Sequence, residues 1–415
     1  MTDATDTATG GPPRLERLKI ENFRALKSIE LKKIAPLTVL LGPNGSGKST
    51  VFDAFAFLSE CFESGLRKAW DRRGRARELK SRGGTGPVAI EIGYRETPIR
   101  EKLATSRLIT YRIEVDEDGG SPFVARERLR WTGSRGAGRP TNILNYKRGQ
   151  GHVVSGDGQD PQASRHEVPL SAPDTLAVNA LGQLKQHPRV VALRNFIAGW
   201  RVSYLSAGDA RGQPEAGPQE HLDKTGGNLA NVVQYLAERH PQTLEDIFTR
   251  LRQRIPKIES VTAEPMPDGR LLLQIEDAPF GEPILARFAS DGTLKMLAYL
   301  VMLHDPDPPP FLGAEEPENF LHPRLLHGLA EECLEAAEAT QIFTTTHSPF
   351  FLNALRPENV RVLWRDRNGY TQCMTPSGDK KVRAFMEAGA ALGDLWMEGH
   401  FSAGDPLTAD GAPQH

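Results

Sequence analysis

The sequence predicts an α/β fold with an antiparallel β lobe and an inserted helical lobe. Three observations predict it. A short apolar strand, LTVLL at 37–41, runs into the glycine-rich LGPNGSGKST and then into an apolar helical stretch, VFDAFAFLSECF. In the last third, strand and helix patterns alternate: a helix from about 292 to 303, a strand at 310–314, a helix at 323–338 and a strand at 341–346. Such alternation belongs to a parallel sheet with crossover helices. From 86 to 146 the pattern changes to β-rich segments, PVAIEIGY, RLITYRIEVDEDGG and PFVARERLRW.

Taken in order, the chain opens with 13 polar residues expected to be disordered, with no apolar stretch that would make a signal peptide. Leu15 to Ile20 and Ile29 to Leu31 read as strands around the turn-like ENFRALK. In the β-rich part, Asp118-Gly119 suits a hairpin turn. Residues 148–173, rich in Gly, Gln, Asp and Pro, read as a loop. Amphipathic helices are expected over 174–200 and 228–255, separated by a Gly/Pro-rich stretch at 207–218. VTAEPMPDGRLLLQIED reads as a hairpin turning at Asp268-Gly269. The expected division is a tail (1–14), an N-terminal lobe (15–170) and a helical insertion with a hairpin (171–285). A C-terminal lobe (286–376) and a closing helix with a disordered tail (377–415) complete it.

Composition narrows the class. With 39% hydrophobic and 25% charged residues over 415 positions, the chain is an ordinary globular one, long enough for more than one lobe. No apolar run approaches the roughly 18 residues that span a bilayer. Cys61, Cys333 and Cys373 lie far apart, which excludes zinc-type spacing and fits a reducing cytoplasm. The net charge of −2 is unevenly distributed, because 61–150 holds 20 basic against 11 acidic residues. Within it, 67–82 (RKAWDRRGRARELKSR) has eight basic residues, two acidic ones and Trp70. A solvated face is the plainer reading of such a run, and a nucleic-acid phosphate surface the sharper one.

The strongest chemical signal is Gly42 to Ser49, a full G-x-x-x-x-G-K-[ST] with an apolar strand before it and an apolar helix after it. Asn44, Gly45, Ser46, Gly47, Lys48, Ser49 and Thr50 are therefore the expected nucleotide-binding residues. Backbone N–H groups would wrap the phosphates, helped by the helix N-terminus. Lys48 would neutralise the β- and γ-phosphates of ATP, and Ser49 would ligate Mg²⁺. This gives meaning to FLGAEEPENFLHP at 311–323, where adjacent carboxylates end a buried strand. Read alone, they could merely begin an exposed turn before Pro317. Beside a phosphate loop, Glu315 becomes the candidate metal-side carboxylate and Glu316 the candidate general base. His347 ends a further strand, QIFTTTH, and is the candidate γ-phosphate sensor. In ASDGTLK, Ser290 and Gly292 would offer a hydroxyl and backbone N–H groups to an anion. Asp291 is expected to turn away and cap its own helix.

These pieces in this order resemble the ABC-type ATPase superfamily, in particular its RecF-like and SMC-like branch. The resemblance rests on IENFRALKSIEL, GPNGSGKST, SDGTLKMLAYL as the signature motif, FLGAEEPENFLHP as Walker B with its D-loop, and TTTHSPFFL as the switch histidine. The closing ALGDLWMEGH is also similar to the C-terminal segment of RecF-like ATPases. It covers both ends of the chain and little of 60–285. It implies a P-loop, ABC-type ATPase head, with ATP and Mg²⁺ as cofactors. It also implies an ATP-dependent homodimer in which Ser290 and Gly292 of one head meet the γ-phosphate held by Lys48 of the other. Asn319 to His322 would line that interface.

The heptads and CxxC of longer relatives are missing, and the 68 residues after His347 are too few for a Toprim nuclease domain. The expectation is a head without its own nuclease, with Gln150 and Gln183 as unsupported candidates for the Q-loop. The leading expectation is a cytoplasmic ATP hydrolase whose dimerisation acts on DNA through 67–82, in repair, recombination or defence. The alternative is an ATP-gated switch controlling a separate effector protein such as a nuclease. A transporter subunit is disfavoured.

Overall fold

The computed structural model describes residues 13–95, 108–132, 140–156, 165–277, 282–401 and 403–404. The disorder expected at the two ends of the chain lies outside the described residues. Strands β1 (Arg14–Phe23) and β2 (Leu26–Lys32) form a hairpin, longer than the two short strands expected. Their turn places Arg24 at φ 48°, tied by a 2.7 Å ion pair to Asp53. Strand β3 (Leu37–Leu41) leads through the glycine-rich loop into α1 (Lys48–Glu63), followed by the short helices α2 (Leu66–Arg72) and α3 (Arg75–Leu79).

The β-rich region supplies β4 (Val88–Arg95), β5 (Leu108–Asp118), β6 (Ser121–Thr132), β7 (Thr141–Lys147), β8 (Gln150–Val154) and β9 (Arg165–Glu167). With the first hairpin they make an antiparallel sheet in the order β2-β1-β4-β5-β6-β7-β8-β9. Two expectations need correction. The β5–β6 turn is Gly119-Gly120, both at positive φ, because Asp118 already pairs with Ser121. The stretch at 148–173 is not all loop. It contains β8, which pairs with β7, and β9, which pairs with β8, and this pairing supplies the order that local composition hid.

Helices α4 (Ala177–Leu181) and α5 (Pro188–Ala198) occupy the first expected helical stretch, interrupted at Gly182 and restarted at Pro188. Then come β10 (Arg201–Ser203), α6 (Ala207–Ala210), α7 (Leu229–Arg239) and α8 (Pro241–Arg254). A small antiparallel sheet follows, of β11 (Ile258–Pro265), β12 (Leu271–Asp277) and β13 (Pro283–Leu285). The C-terminal third comprises α9 (Asp291–Leu303), β14 (Phe311–Ala314), α10 (Pro323–Ala336), β15 (Gln341–Thr346), α11 (Pro349–Leu352), β16 (Val360–Arg365), β17 (Thr371–Met374), α12 (Lys380–Glu387) and α13 (Leu392–Met397).

The central sheet runs β10-β14-β15-β3-β16-β17, parallel except for the β17 edge. Its strands are apolar on both faces, as a sheet covered on both sides requires. Leu40, Phe311, Phe343 and Leu363 point to one core, while Val39, Leu41, Leu312, Ala314 and Val362 point to the other. Helix α1 fills the first core and is buried almost all round. Phe55 packs on Trp200, Phe311 and Phe343, and Phe57 on Phe23 and Trp70. Burying each such ring contributes roughly 1.5–3 kcal/mol. The helix that begins at the phosphate loop is thus wedged between the central sheet and β1, which fixes its N-terminus.

Candidate functional site

The carboxyl ends of β3, β14 and β15 share one edge. Ala314 pairs with Thr344, and Thr346 with Leu41. Ligands of open α/β sheets bind at this edge. The loop after β3, the carboxylates after β14 and His347 after β15 are therefore brought together, although nearly 300 residues separate the first from the last.

The glycine-rich loop is pinned by its surroundings. A Cβ at Gly42 (φ +154°) would lie 2.2 Å from the Leu363 carbonyl oxygen, and one at Gly47 (φ +106°) 2.3 Å from Thr371 Oγ1. Both positions therefore demand glycine. The Thr371 hydroxyl donates to the Ser46 carbonyl (2.8 Å), fastening the loop to the start of β17. Asn44, Gly45 and Ser49 are exposed, and Thr50 is half-buried on the first turn of α1. Lys48 is buried, with Nζ donating to the carbonyls of Gly42 (2.8 Å) and Pro43 (3.1 Å). Burial lowers its pKa to about 8, against the opposing pull of Glu316, Glu318 and Glu315.

Glu315 lies across from this lysine. Burial, then repulsion from Glu316, raises its pKa to about 7, while a hydrogen bond from Ser49 and the charge of Lys48 oppose the rise. Its Oε1 is buried without a partner. An orphaned carboxylate oxygen beside a serine hydroxyl suits a hard cation with oxygen ligands. Among the described residues, no cluster of three or more His, Cys, Asp or Glu could hold a metal unaided. The residues present therefore fit Mg²⁺ shared between Ser49, Glu315 and the phosphates of a nucleotide.

Glu316 occupies a left-handed backbone position (φ 42°). Its N–H donates to Thr345 Oγ1 (2.9 Å), and Asn319 Nδ2 donates to its Oε2 (2.9 Å). His347 Nε2 stands 3.4 Å from Glu316 Oε1, close but without a formed hydrogen bond. Burial and the charge of Lys48 hold the imidazole pKa below its ordinary value, so it is neutral at neutral pH. A neutral imidazole beside an oriented carboxylate can share a water that touches both from the side.

Ser290 and Gly292 lie at the N-terminus of α9, where a Cβ on Gly292 would meet the Phe320 carbonyl at 2.9 Å. The capping expectation is corrected. Ser290, not Asp291, caps the helix by accepting from Thr293 N (3.1 Å), and Asp291 instead pairs with Arg211 at 2.5 Å. The guanidinium draws the aspartate sideways, which leaves the shorter serine side chain to reach the free N–H groups.

Reading the sequence missed several neighbours. Tyr204 and Ser206, following β10, line a cavity of about 330 Å³ with Lys295, Glu315, Glu316 and Asn319. The three-residue β10 is too short for any periodicity to betray it. Because β10 pairs with β14, the Tyr204 loop stands beside the acidic strand. The two glutamines considered for that place do not: Gln150 is on β8 of the antiparallel sheet, and Gln183 bonds the Asn179 carbonyl beside α4. A second cavity, of about 500 Å³, is lined by Arg24, Ala25, Arg82, Arg365 and Tyr370 among others, Tyr370 standing next to the Thr371 that fastens the phosphate loop.

The basic run 67–82 is folded rather than loose. Trp70 is buried and donates to Glu117 (2.7 Å), and Arg73 joins Asp53 and Glu60. Arg67 pairs with Asp174 and Lys80 with Asp116. Arg73 and Lys80 are thus tied into the fold, while Lys68, Arg72, Arg75, Arg77 and Arg82 stay exposed. Among the described residues no helix is long and apolar enough to cross a membrane.

Comparison with known proteins agrees with this geometry. Residues 164–353 match the family described as "AAA domain, putative AbiEii toxin, Type IV TA system", and residues 17–128 match a second AAA domain family. The crystal structure of an SMC head bound to the C-winged helix domain of ScpA superposes with a TM-score of 0.51 at 15% identity. It covers 87% of this chain and 97% of that one. An OLD nuclease of Thermus scotoductus is 50% identical over 40 residues, 10% of this chain and 7% of its own length. The chain thus spans a small part of that relative. In fold and motif order the chain is thus similar to the SMC- and RecF-like P-loop ATPase heads of the ABC type.

Proposed function

We propose that this protein binds ATP with Mg²⁺ and hydrolyses it to ADP and phosphate, cycling between separate and paired heads. The observation that carries the reading is the placement of Glu316 at the end of β14, 3.4 Å from His347 and facing the buried Lys48. In this reading Lys48 and the loop N–H groups hold the β- and γ-phosphates, and Tyr370 and Ala25 flank the base in the cavity beside the loop. Mg²⁺, held by Ser49 and Glu315, would neutralise charge on the phosphate oxygens. Glu316 takes a proton from a water positioned against His347. That water's oxygen bonds to the γ-phosphorus as the bond to the β-phosphate oxygen breaks. Ser290 and Gly292, at an exposed helix start, would complete the site of a second copy.

The head pairing acts on DNA in the leading reading, supported by the partial match to an OLD nuclease. Pairing of Arg73 and Lys80 within the fold favours the second reading, a switch gating a separate effector. Steady-state ATP turnover with and without duplex and single-stranded DNA, with Glu316→Gln as the blank, separates them. Several-fold stimulation that fades with salt supports DNA. Turnover indifferent to DNA supports the switch, and no turnover above the blank overturns hydrolysis itself.

A further inference from the structure

The third carboxylate of the EEPEN turn has no part in the scheme above. Glu318 is held against β15: its Oε1 accepts from Thr346 Oγ1 (2.9 Å) and from the backbone N–H of His347 (2.6 Å). The same Thr346 hydroxyl accepts from Ser348 N (3.0 Å), so one carboxylate oxygen organises the whole exit of β15 into α11. The neighbouring Thr345 hydroxyl holds Glu316 N. Two cross-links therefore tie the turn after β14 to the end of β15, one at each glutamate. The turn they hold is strained, with Glu316 at φ 42° and Phe320 at φ 68°, conformations that persist only when the surroundings over-determine them.

Glu318 commits its Oε1 to Thr346 and the His347 backbone. The buried ammonium groups of Lys48 and Lys295 face it from α1 and α9. Its second oxygen is buried without a partner. A buried carboxylate left half-satisfied is costly, and a glutamine or an apolar residue would fill the turn at less expense.

We infer that Glu318 is a positioning residue: its hydrogen bonds to Thr346 and to the His347 backbone set the distance between the His347 imidazole and the Glu316 carboxylate. This rests on the ATPase reading for its consequence, but not for its geometry. Residues that orient a reacting group from behind typically change activity by roughly 10- to 100-fold. The loss falls on turnover rather than on nucleotide binding, because the hydrogen bonds of Glu318 go to Thr346 and His347 and none to the phosphate loop.

The experiment compares Glu318→Ala and Glu318→Gln in the full chain. The alanine variant is expected to lower kcat roughly 10- to 100-fold while the KM for ATP and the melting temperature stay near wild type. Glutamine keeps an acceptor at the same point and is expected to restore most of the rate. In a His347→Ala background, Glu318→Ala should add nothing, since the two act through one group. A second readout is independent of hydrolysis: the imidazole ¹⁵N resonances of His347 in nucleotide-free protein should move in Glu318→Ala and stay in Glu318→Gln. Unmoved resonances in the alanine variant overturn the inference. So does a wild-type kcat, a full additive loss in the His347→Ala background, or a glutamine variant as slow as alanine. If the wild type itself turns over no ATP, the hydrolysis reading fails and the resonances still decide the role of Glu318.

Discussion

Two regions of the molecule bury a glutamate and push its pKa to about 7: Glu127 on β6 and Glu315 after β14. They differ in how their oxygens are used. Glu127 is fully buried, yet both oxygens are occupied. Tyr111 hydroxyl (2.9 Å) and Val178 N (3.0 Å) donate to one, and Ala177 N (2.5 Å) to the other. It pins the start of α4 to the antiparallel sheet and has nothing left to offer. Glu315 leaves Oε1 buried and unpartnered, facing Ser49 and Lys48. Burial and a raised pKa therefore do not distinguish a site from a joint. Unfinished hydrogen bonding at the open edge of a sheet does.

That distinction can be broken by substitution. The largest effect is expected for Lys48→Ala. Removing a buried charge opposite the phosphates costs about 2–5 kcal/mol, so ATP affinity should fall roughly 100-fold or more, measured by titration with a fluorescent nucleotide. Wild-type affinity would remove the phosphate loop from the site. Next, Glu316→Gln should keep ATP binding and lose about 10²–10⁴-fold in turnover, the usual worth of a general base. A near-normal rate would pass the role to another group.

The two raised carboxylates give the sharpest contrast. Glu315→Gln should weaken the Mg²⁺ dependence of turnover with little change in melting temperature. Glu127→Gln should do the reverse, leaving turnover alone and altering stability. The folded protein holds the Glu127 proton more tightly than the unfolded chain. Its contribution to stability is therefore full below about pH 4.5 and lost as pH rises through about 7. Wild type should accordingly lose up to about 3 kcal/mol relative to Glu127→Gln over that window. Thermal melts of both proteins at several pH values check this, and parallel curves would contradict it. The smallest effect is expected at Tyr370. Its replacement by alanine should weaken ATP binding only a few-fold, since an aromatic contact contributes about 0.5–1.5 kcal/mol. An unchanged affinity would move the base elsewhere.

Much of this was legible in the chain because it is local. The phosphate loop announces itself by glycines at fixed spacing, and Glu315 and Glu316 stand out as charges ending an apolar strand. The helices α9 and α10 and the strands β14 and β15 follow from periodicity within a few residues of where the pattern places them. The exceptions have different causes. The β10–α6 loop owes its place to β14, a pairing partner far away in sequence, while β8 and β9 pair with the strands just before them and are hidden by their polar, glycine-rich composition. Trp70 and Arg73 read as part of a surface because the carboxylates that hold them, Asp53, Glu60 and Glu117, lie outside the run.

By itself, then, the sequence determined the chemistry on offer: a phosphate-cradling loop, paired carboxylates and a histidine at a strand end, all set by short-range spacing. Only the tertiary structure decided which groups stay free to use it. Strand order placed His347 and Glu316 on one edge. Pairing across the sheet drew Glu318 toward the β15 backbone, and the Arg211 guanidinium just after α6 pairs with Asp291 while Ser290 caps α9. Those outcomes turn on which charge lies nearest in space, and Coulomb and hydrogen-bond energies fall off with distance through the folded protein rather than along the chain.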